Sequence, residues 1–189
     1  MALKKLPYKN INELIQKNLP DEDDQHTVNL SRLLQPSRRR GWLTKTELEM
    51  ICRWKSPRAI RLIQSNHAAT IRKVTKAAFQ VKDETEKMRL LTLLKGVSIP
   101  MASAVLTLLY PKRYGVIDIR VWQILHQMKI VETNKRGTAF RVAEWVELLV
   151  LLRKLSKQFG QSVRLIEYSI FLAHQRHQVG TLYQTLKND

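Results

Sequence analysis

Cysteine, glycine and proline are scarce in this 189-residue sequence, and each shortage narrows the possible structures. Cys52 is the only cysteine, which excludes an internal disulfide and a four-cysteine iron–sulfur cluster and fits a reducing compartment. Glycine and proline number six each, and apolar residues recur at spacings of three and four rather than alternating. These features predict an all-α protein that forms a single compact helical domain over residues 1–189.

Long apolar runs are also missing. No run approaches the roughly 18 apolar residues that would cross a bilayer, so we expect no membrane partner. The N-terminal segment MALKKLPYKN has two lysines but no apolar stretch behind them, so it does not predict a secretory signal. We therefore expect an intracellular protein.

Acidic residues are few compared with basic ones. Sixteen Asp and Glu face 33 Lys and Arg, which gives a net charge of +17 and predicts a polyanionic partner, with nucleic acid first. Much of the excess lies between Arg32 and Lys82, where thirteen bases face two acids, Glu47 and Glu49. This charge predicts a cytoplasmic or nucleoid-associated location.

Helix boundaries can be placed from local signals. Thr44 and Glu47 form a capping-box pattern for a helix that runs to about Trp54. The apolar spacing after Phe140 predicts a long helix to Phe159, and Gly160 follows it as a stop signal.

The stretch from residue 84 to 129 contains the most specific pattern. Its apolar spacing predicts a helix that ends near Leu94, an LKGVS turn and a second helix that begins near Pro100. Gly96 permits a backbone angle closed to other residues, so the two helices can meet in a short hairpin. Unpaired backbone N–H groups at such a turn, with the positive end of the next helix, make a phosphate site, and Lys95 adds a positive charge.

The loop YPKRYGVID follows this hairpin and ends on Asp118, the only acid between Leu90 and Lys129. A carboxylate in a basic surrounding is held ionised and can stabilise a developing positive charge. The simpler interpretation is that Asp118 caps the helix that begins at Ile119. The two roles are compatible, because a capping carboxylate can present its second oxygen to a cleft.

The order of these features resembles the helix-hairpin-helix DNA glycosylase superfamily, which includes endonuclease III and the 8-oxoguanine glycosylases. The resemblance lies in LKGVS at 94–98 for the hairpin, Ala102 after it, Pro111 and Gly115 in the loop, and Asp118 within VIDIRVW at 116–122. It covers about 35 residues closely, and the predicted helical surroundings agree in general.

Departures from the family pattern limit what the resemblance implies. Ser98 replaces the second hairpin glycine, and Ile99 or Pro100 stands where strand-cutting members have a nucleophilic lysine. The resemblance therefore implies a monofunctional enzyme without a Schiff-base step. Asp118 would stabilise the sugar cation and assist attack by water after the target nucleotide is flipped out of the duplex.

The resemblance also implies a set of contacts. We expect a monomer that binds double-stranded DNA, no metal site in the catalytic role and no cofactor, although a monovalent cation at the hairpin fits the family. The predicted DNA contacts are Lys95, Gly96, Val97, Ser98, Lys112, Arg113, Arg120, Arg53, Lys55 and Arg58. Candidates for the base pocket are Trp122, Trp54 and Tyr114, all of which also suit a core. The alternative function is a non-catalytic helix-hairpin-helix DNA-binding module in which Asp118 is a structural cap.

Overall fold

Eleven α-helices form most of residues 2–180, the part of the chain that the computed structural model describes. They are α1 (Ile11–Asn18), α2 (Gln25–Leu33), α3 (Gln35–Arg40), α4 (Lys45–Lys55), α5 (Ile60–Gln64), α6 (Ala68–Gln80), α7 (Glu84–Leu91), α8 (Ile99–Leu109), α9 (Ile119–Gln127), α10 (Val142–Phe159) and α11 (Val163–His177). A 3₁₀ turn (Pro57–Ala59) lies between α4 and α5. Strands β1 (Ala2–Leu3) and β2 (Gln178–Val179) pair antiparallel and join the N-terminal segment to the chain after α11. The all-α prediction is confirmed.

Local sequence signals account for several of the helix ends. Thr44 and Glu47 make both hydrogen bonds of a capping box at the start of α4, as predicted. Gly160 ends α10 in the left-handed conformation, also as predicted. Asp118 is the N-cap of α9, so its capping role is confirmed.

Helix α8 occupies the centre of the protein. Every residue from Met101 to Leu109 is buried, and the helix packs against α2, α3, α4, α7 and α10. A helix that is apolar on all sides has to be buried on all sides, which explains its position. It spans 11 residues, and no helix within residues 2–180 is long and apolar enough to cross a membrane.

The turn between α7 and α8 differs from its prediction in one respect. Helix α7 ends at Leu91 rather than at Leu94, because the N–H groups of Leu93 and Leu94 bond three residues back, in tighter turns. Asn66 then holds the turn by accepting from the N–H of Lys95 at 2.9 Å and donating to its carbonyl at 2.9 Å.

Gly96 has a φ of +80°, as the hairpin prediction requires. A Cβ at this position would lie 2.9 Å from the Cβ of Leu62 and 3.1 Å from the backbone nitrogen of Ile63. Glycine is therefore needed both for the backbone angle and for the close approach of the turn to α5.

Candidate functional site

A cleft of about 860 Å³ opens beside Asp118. Its walls come from the C-terminal end of α4, the N-terminal end of α8, the start of α9, the loop at 137–140 and one face of α11. Six of the residues predicted as site residues line it: Trp54, Lys55, Arg58, Ser98, Asp118 and Arg120. The fold thus brings together residues that are up to 66 positions apart in sequence.

The two carboxylate oxygens of Asp118 make different contacts. Oδ1 accepts the backbone N–H groups of Arg120 at 3.0 Å and Val121 at 3.1 Å, which caps α9. Oδ2 accepts from Nζ of Lys55 at 3.1 Å. Burial alone would raise the pKa of Asp118, but the Lys55 charge and the Val121 N–H outweigh burial, so the pKa lies below its usual value. Asp118 is therefore ionised at neutral pH.

Lys55 is the last residue of α4, where the chain turns into the segment Ser56–Pro57. Its side chain and that of Asp118 each retain 16% of their exposure, so the pair lies on the cleft wall, partly shielded from solvent. An ion pair in such a place is screened less by salt than one on an open surface. The sequence interpretation assigned Lys55 to DNA contact alone and did not place it beside Asp118.

A second carboxylate, Glu167, lies in the same cleft and is only 1% exposed. Its Oε2 accepts from the guanidinium of Arg164 at 2.5 Å and from the N–H of Val116 at 3.2 Å. Arg164 also binds both carboxylate oxygens of Asp23, at 2.7 and 3.0 Å. This network ties α11 to the loop that carries Asp118 and to the chain before α2.

The charged groups of this network shift one another's pKa values. Burial raises the pKa of Glu167, the Arg164 guanidinium opposes that rise, and the charge of Asp118 adds to it. Burial would lower the pKa of Arg164, but Glu167 and Asp23 raise it overall, so the guanidinium keeps its charge. Gly115 permits this packing, since a Cβ there would lie 2.9 Å from the Cβ of Glu167.

Aromatic side chains form much of the remaining lining. The residues are Trp54, Phe140, Tyr168 and Phe171. The guanidinium of Arg120 lies 5.2 Å from the ring centre of Phe171, and that of Arg164 lies 4.7 Å from that of Tyr168. Of these four residues, the sequence interpretation identified Trp54 alone.

The contribution of α11 was missed, although its signal is present in the sequence. Arg164, Tyr168, Phe171 and Gln175 follow at intervals of three or four, Glu167 comes three residues after Arg164, and all five line the cleft. This spacing places them on one helix face. A helix face that combines charged and aromatic residues was the signal available in the sequence.

His174 lies behind this face and is fully buried. Its Nδ1 is 3.4 Å from the guanidinium of Arg120, and its Nε2 is 3.0 Å from Oε1 of Gln123. Burial lowers the pKa of His174 to about 4, and the Arg120 charge contributes to the same effect. A neutral imidazole therefore helps to hold Arg120, which also bonds to Gln178, at the cleft wall.

Two of the three base-pocket candidates, Trp122 and Tyr114, do not line the cleft. Trp122 is fully buried, donates from Nε1 to the carbonyl of Thr133 and meets Phe140 edge to face. Tyr114 is 1% exposed and stacks on Trp145. Both belong to the core because large aromatic side chains bury the most apolar area, and neither lines the cleft. Trp54 does line it and donates from Nε1 to Oγ1 of Thr27 at 2.9 Å.

The predicted DNA contacts fall into two groups. Lys55, Arg58, Ser98 and Arg120 line the cleft, whereas the others do not: Arg53, Lys95, Gly96, Val97, Lys112 and Arg113. Most of the second group are exposed cations, but Val97 is 5% exposed and packs in the core. The Val97 side chain therefore presents little surface to a ligand.

Some backbone N–H groups of the α7–α8 turn have hydrogen-bond partners. The N–H of Lys95 bonds to Asn66 and that of Val97 bonds to the carbonyl of Leu94, which corrects the prediction that these groups are unpaired. Among residues 2–180, no hydrogen-bond partner is found for the N–H of Gly96, Ser98 or Ile99. These three groups lie at the positive end of α8, next to the cleft.

No family model matches this sequence, and searches of curated proteins and of solved structures find no match. Function is therefore inferred from the residues and the geometry of the cleft.

Proposed function

We propose that the protein binds DNA and hydrolyses the N-glycosidic bond of a damaged or modified base without cutting the strand. The observation that carries this proposal is the ionised Asp118 carboxylate, paired with Lys55 at 3.1 Å, on the wall of a cleft of about 860 Å³. Small-molecule sites are typically about 300–1,000 Å³, so the cleft is large enough for a flipped nucleotide.

Asp118 has the charge that this reaction needs. As the bond between C1′ and the base nitrogen breaks, positive charge develops on the sugar, and a fixed carboxylate stabilises it. Water then adds to C1′ and loses a proton, and the base leaves with a proton on its nitrogen. Because Asp118 is fixed by the start of α9 and by Lys55, little reorganisation is required when the charge develops.

The rest of the cleft suits a flipped nucleotide. Trp54, Phe140, Tyr168 and Phe171 offer aromatic surface for a base. The N–H groups of Gly96, Ser98 and Ile99, which have no partner among the described residues, suit a phosphate at the start of α8. The net charge of +17 supports attraction to the polyanion as a whole.

A second candidate function is a non-catalytic DNA-binding module. It is favoured by the fact that both oxygens of Asp118 already have partners, Oδ1 in the helix cap and Oδ2 in the Lys55 pair. A structural cap with one ion pair explains those contacts without any reaction.

Base release from duplexes that carry oxidised, alkylated, deaminated or mismatched bases separates the two candidates. Asparagine caps helices about as well as aspartate, so Asp118→Asn keeps the fold and removes the charge. We expect Asp118→Asn to slow base release by about 10²–10³-fold while DNA affinity is retained or increased.

The matched control is Asp83→Asn, the same change at the N-cap of α7, which does not line the cleft. We expect this variant to release bases at the wild-type rate. Binding to the whole panel without any abasic product would instead support the binding module, and an affinity that does not change with salt would contradict both functions.

A further inference from the structure

A second surface with strong positive charge lies away from the cleft. It is a groove of about 520 Å³, here called the basic groove, between the N-terminal end of α4 and the exposed side of α6. Its charged residues are Lys45, Arg72, Lys73 and Lys76, and its apolar surface comes from Trp42, Ala68 and Ala69. None of the described residues that line it is acidic.

The cations on α6 are arranged unfavourably for the isolated protein. Arg72 and Lys76 are four residues apart, and Lys73 and Lys76 are three apart, so like charges are neighbours on the helix surface and repel each other. Helix α6 contains no acidic residue, and within residues 2–180 no carboxylate pairs with any of these three side chains. An anion from outside the chain would relieve this repulsion.

Trp42 fixes part of this charge in place. The guanidinium groups of Arg40 and Arg72 lie 4.2 and 4.6 Å from its ring centre. Arg40 is further held by Glu47 at 2.5 Å, whereas Arg72 has the ring contact and no carboxylate partner among the described residues. The stacked Arg72 is thus ordered before any ligand arrives, which reduces the entropy lost on binding.

The position of the basic groove relative to the cleft points to its ligand. Lys45 begins α4 and lines the basic groove, while Lys55 ends α4 and lines the cleft. At 1.5 Å per residue, the two ends of this helix are about 15 Å apart. One strand of B-DNA rises 3.4 Å per nucleotide, so this distance corresponds to about four or five base pairs.

We propose that the basic groove binds the sugar–phosphate backbone of duplex DNA about four or five base pairs from the nucleotide in the Asp118 cleft. This inference rests on the proposed function, because the cleft fixes the register of the duplex. The lysine and arginine side chains of the groove contact phosphate groups, and such contacts do not distinguish one base sequence from another.

The test compares Lys73→Ala/Lys76→Ala with a matched control, Lys154→Ala/Lys157→Ala. The control removes two exposed lysines at the same spacing on α10, and neither lines the cleft or the basic groove. The probes are a duplex of about 24 base pairs and a GC-rich duplex of about 7 base pairs, each with a stable abasic-site analogue at its centre, so the shorter duplex extends only about three base pairs to either side. Binding is measured by fluorescence anisotropy over a salt series.

On the longer duplex, we expect the groove variant to lose about tenfold or more in affinity at 0.1 M salt, and its salt slope to fall by about 1.8, about 0.9 for each lost phosphate contact. The control should keep the wild-type slope. On the shorter duplex, which does not reach the groove, the groove variant should bind like the wild type.

Equal losses in the groove variant and the control would overturn the inference, as would an equal loss on both duplexes. In either case binding by the wild type is intact, so the proposed function is unaffected. Failure of the wild type to bind either duplex would overturn the proposed function and this inference together.

Discussion

The charged residues of the cleft, at the C-terminal end of α4, are mostly paired and partly shielded from solvent. Those of the basic groove, at its N-terminal end, are more exposed and mostly unpaired within residues 2–180. In the cleft, Asp118 pairs with Lys55, and Arg164 pairs with Glu167 and Asp23. In the basic groove, Lys73 and Lys76 have no ion-pair partner within residues 2–180. Shielded pairs fix a carboxylate at a defined point, while open cations suit a ligand whose charge is repeated along its length.

Replacement of a paired cation should have the largest effect on stability. Arg164→Met leaves Glu167 and Asp23 without their partner in a buried place, so we expect the free energy of unfolding to fall by about 3–5 kcal/mol. Lys73→Met in the basic groove should change it by no more than about 0.5 kcal/mol, because Lys73 is exposed and has no ion pair within residues 2–180. Chemical denaturation of both variants measures the difference, and equal losses would show that the two ends of α4 do not differ.

Two glycines with nearly the same backbone angle give the next contrast. Gly96→Ala places a Cβ 2.9 Å from the Cβ of Leu62 at a φ of +80°. Gly41, beside the basic groove, has a φ of +78°, and a Cβ there would have no atom of a non-adjacent residue within 4 Å among residues 2–180. The left-handed angle should cost each alanine variant about 1 kcal/mol. Overpacking against α5 should add about 1–3 kcal/mol to Gly96→Ala alone. Unfolding free energies test this, and equal values would mean that α5 moves aside without cost.

A pH series should give the smallest of the three effects. His174 has its pKa lowered to about 4 by burial, against an unfolded value of about 6.5. The unfolded chain therefore takes up the proton first, and stability falls as the pH decreases from about 6.5 towards 4. We expect this step to contribute about 2–3 kcal/mol, and His174→Gln should remove it.

His67→Gln is the control for that series, because His67 is exposed and precedes α6 near the basic groove. The stability of the His67→Gln variant should change with pH between pH 7 and pH 4 in the same way as that of the wild type. If the stability of His174→Gln changes with pH as steeply as that of the wild type, other groups, such as the carboxylates of the cleft, account for the loss of stability.

Some parts of the candidate site could be predicted from the sequence, and they depend on short-range signals. The role of Asp118 as the cap of α9 and the need for glycine at position 96 follow from residues within about one turn of each position. The end of α7 was missed by three residues because Asn66, from the segment before α6, holds the turn in a tighter form.

The composition of the cleft could not be predicted in the same way. Trp122 and Tyr114 are close to Asp118 in sequence, and both face the core, whereas Tyr168 and Phe171 are about 50 residues away and line the cleft. Distance along the chain was therefore a poor guide to which aromatic residue reaches the site. The face of α11 that carries them is visible in the sequence, but its partner surface is not.

The sequence by itself determined the helical class, many of the helix ends and the capping aspartate, because each depends on hydrogen bonds and apolar spacing within a few residues. Tertiary structure alone decided that Lys55 pairs with Asp118 across 63 positions and that Arg164 pairs with Asp23 across 141. Such pairs form only when the packing of α4, α8, α9 and α11 removes solvent between them. For that reason Asp118 was predicted as a site residue, and the contacts that hold it in place were found only in the structure.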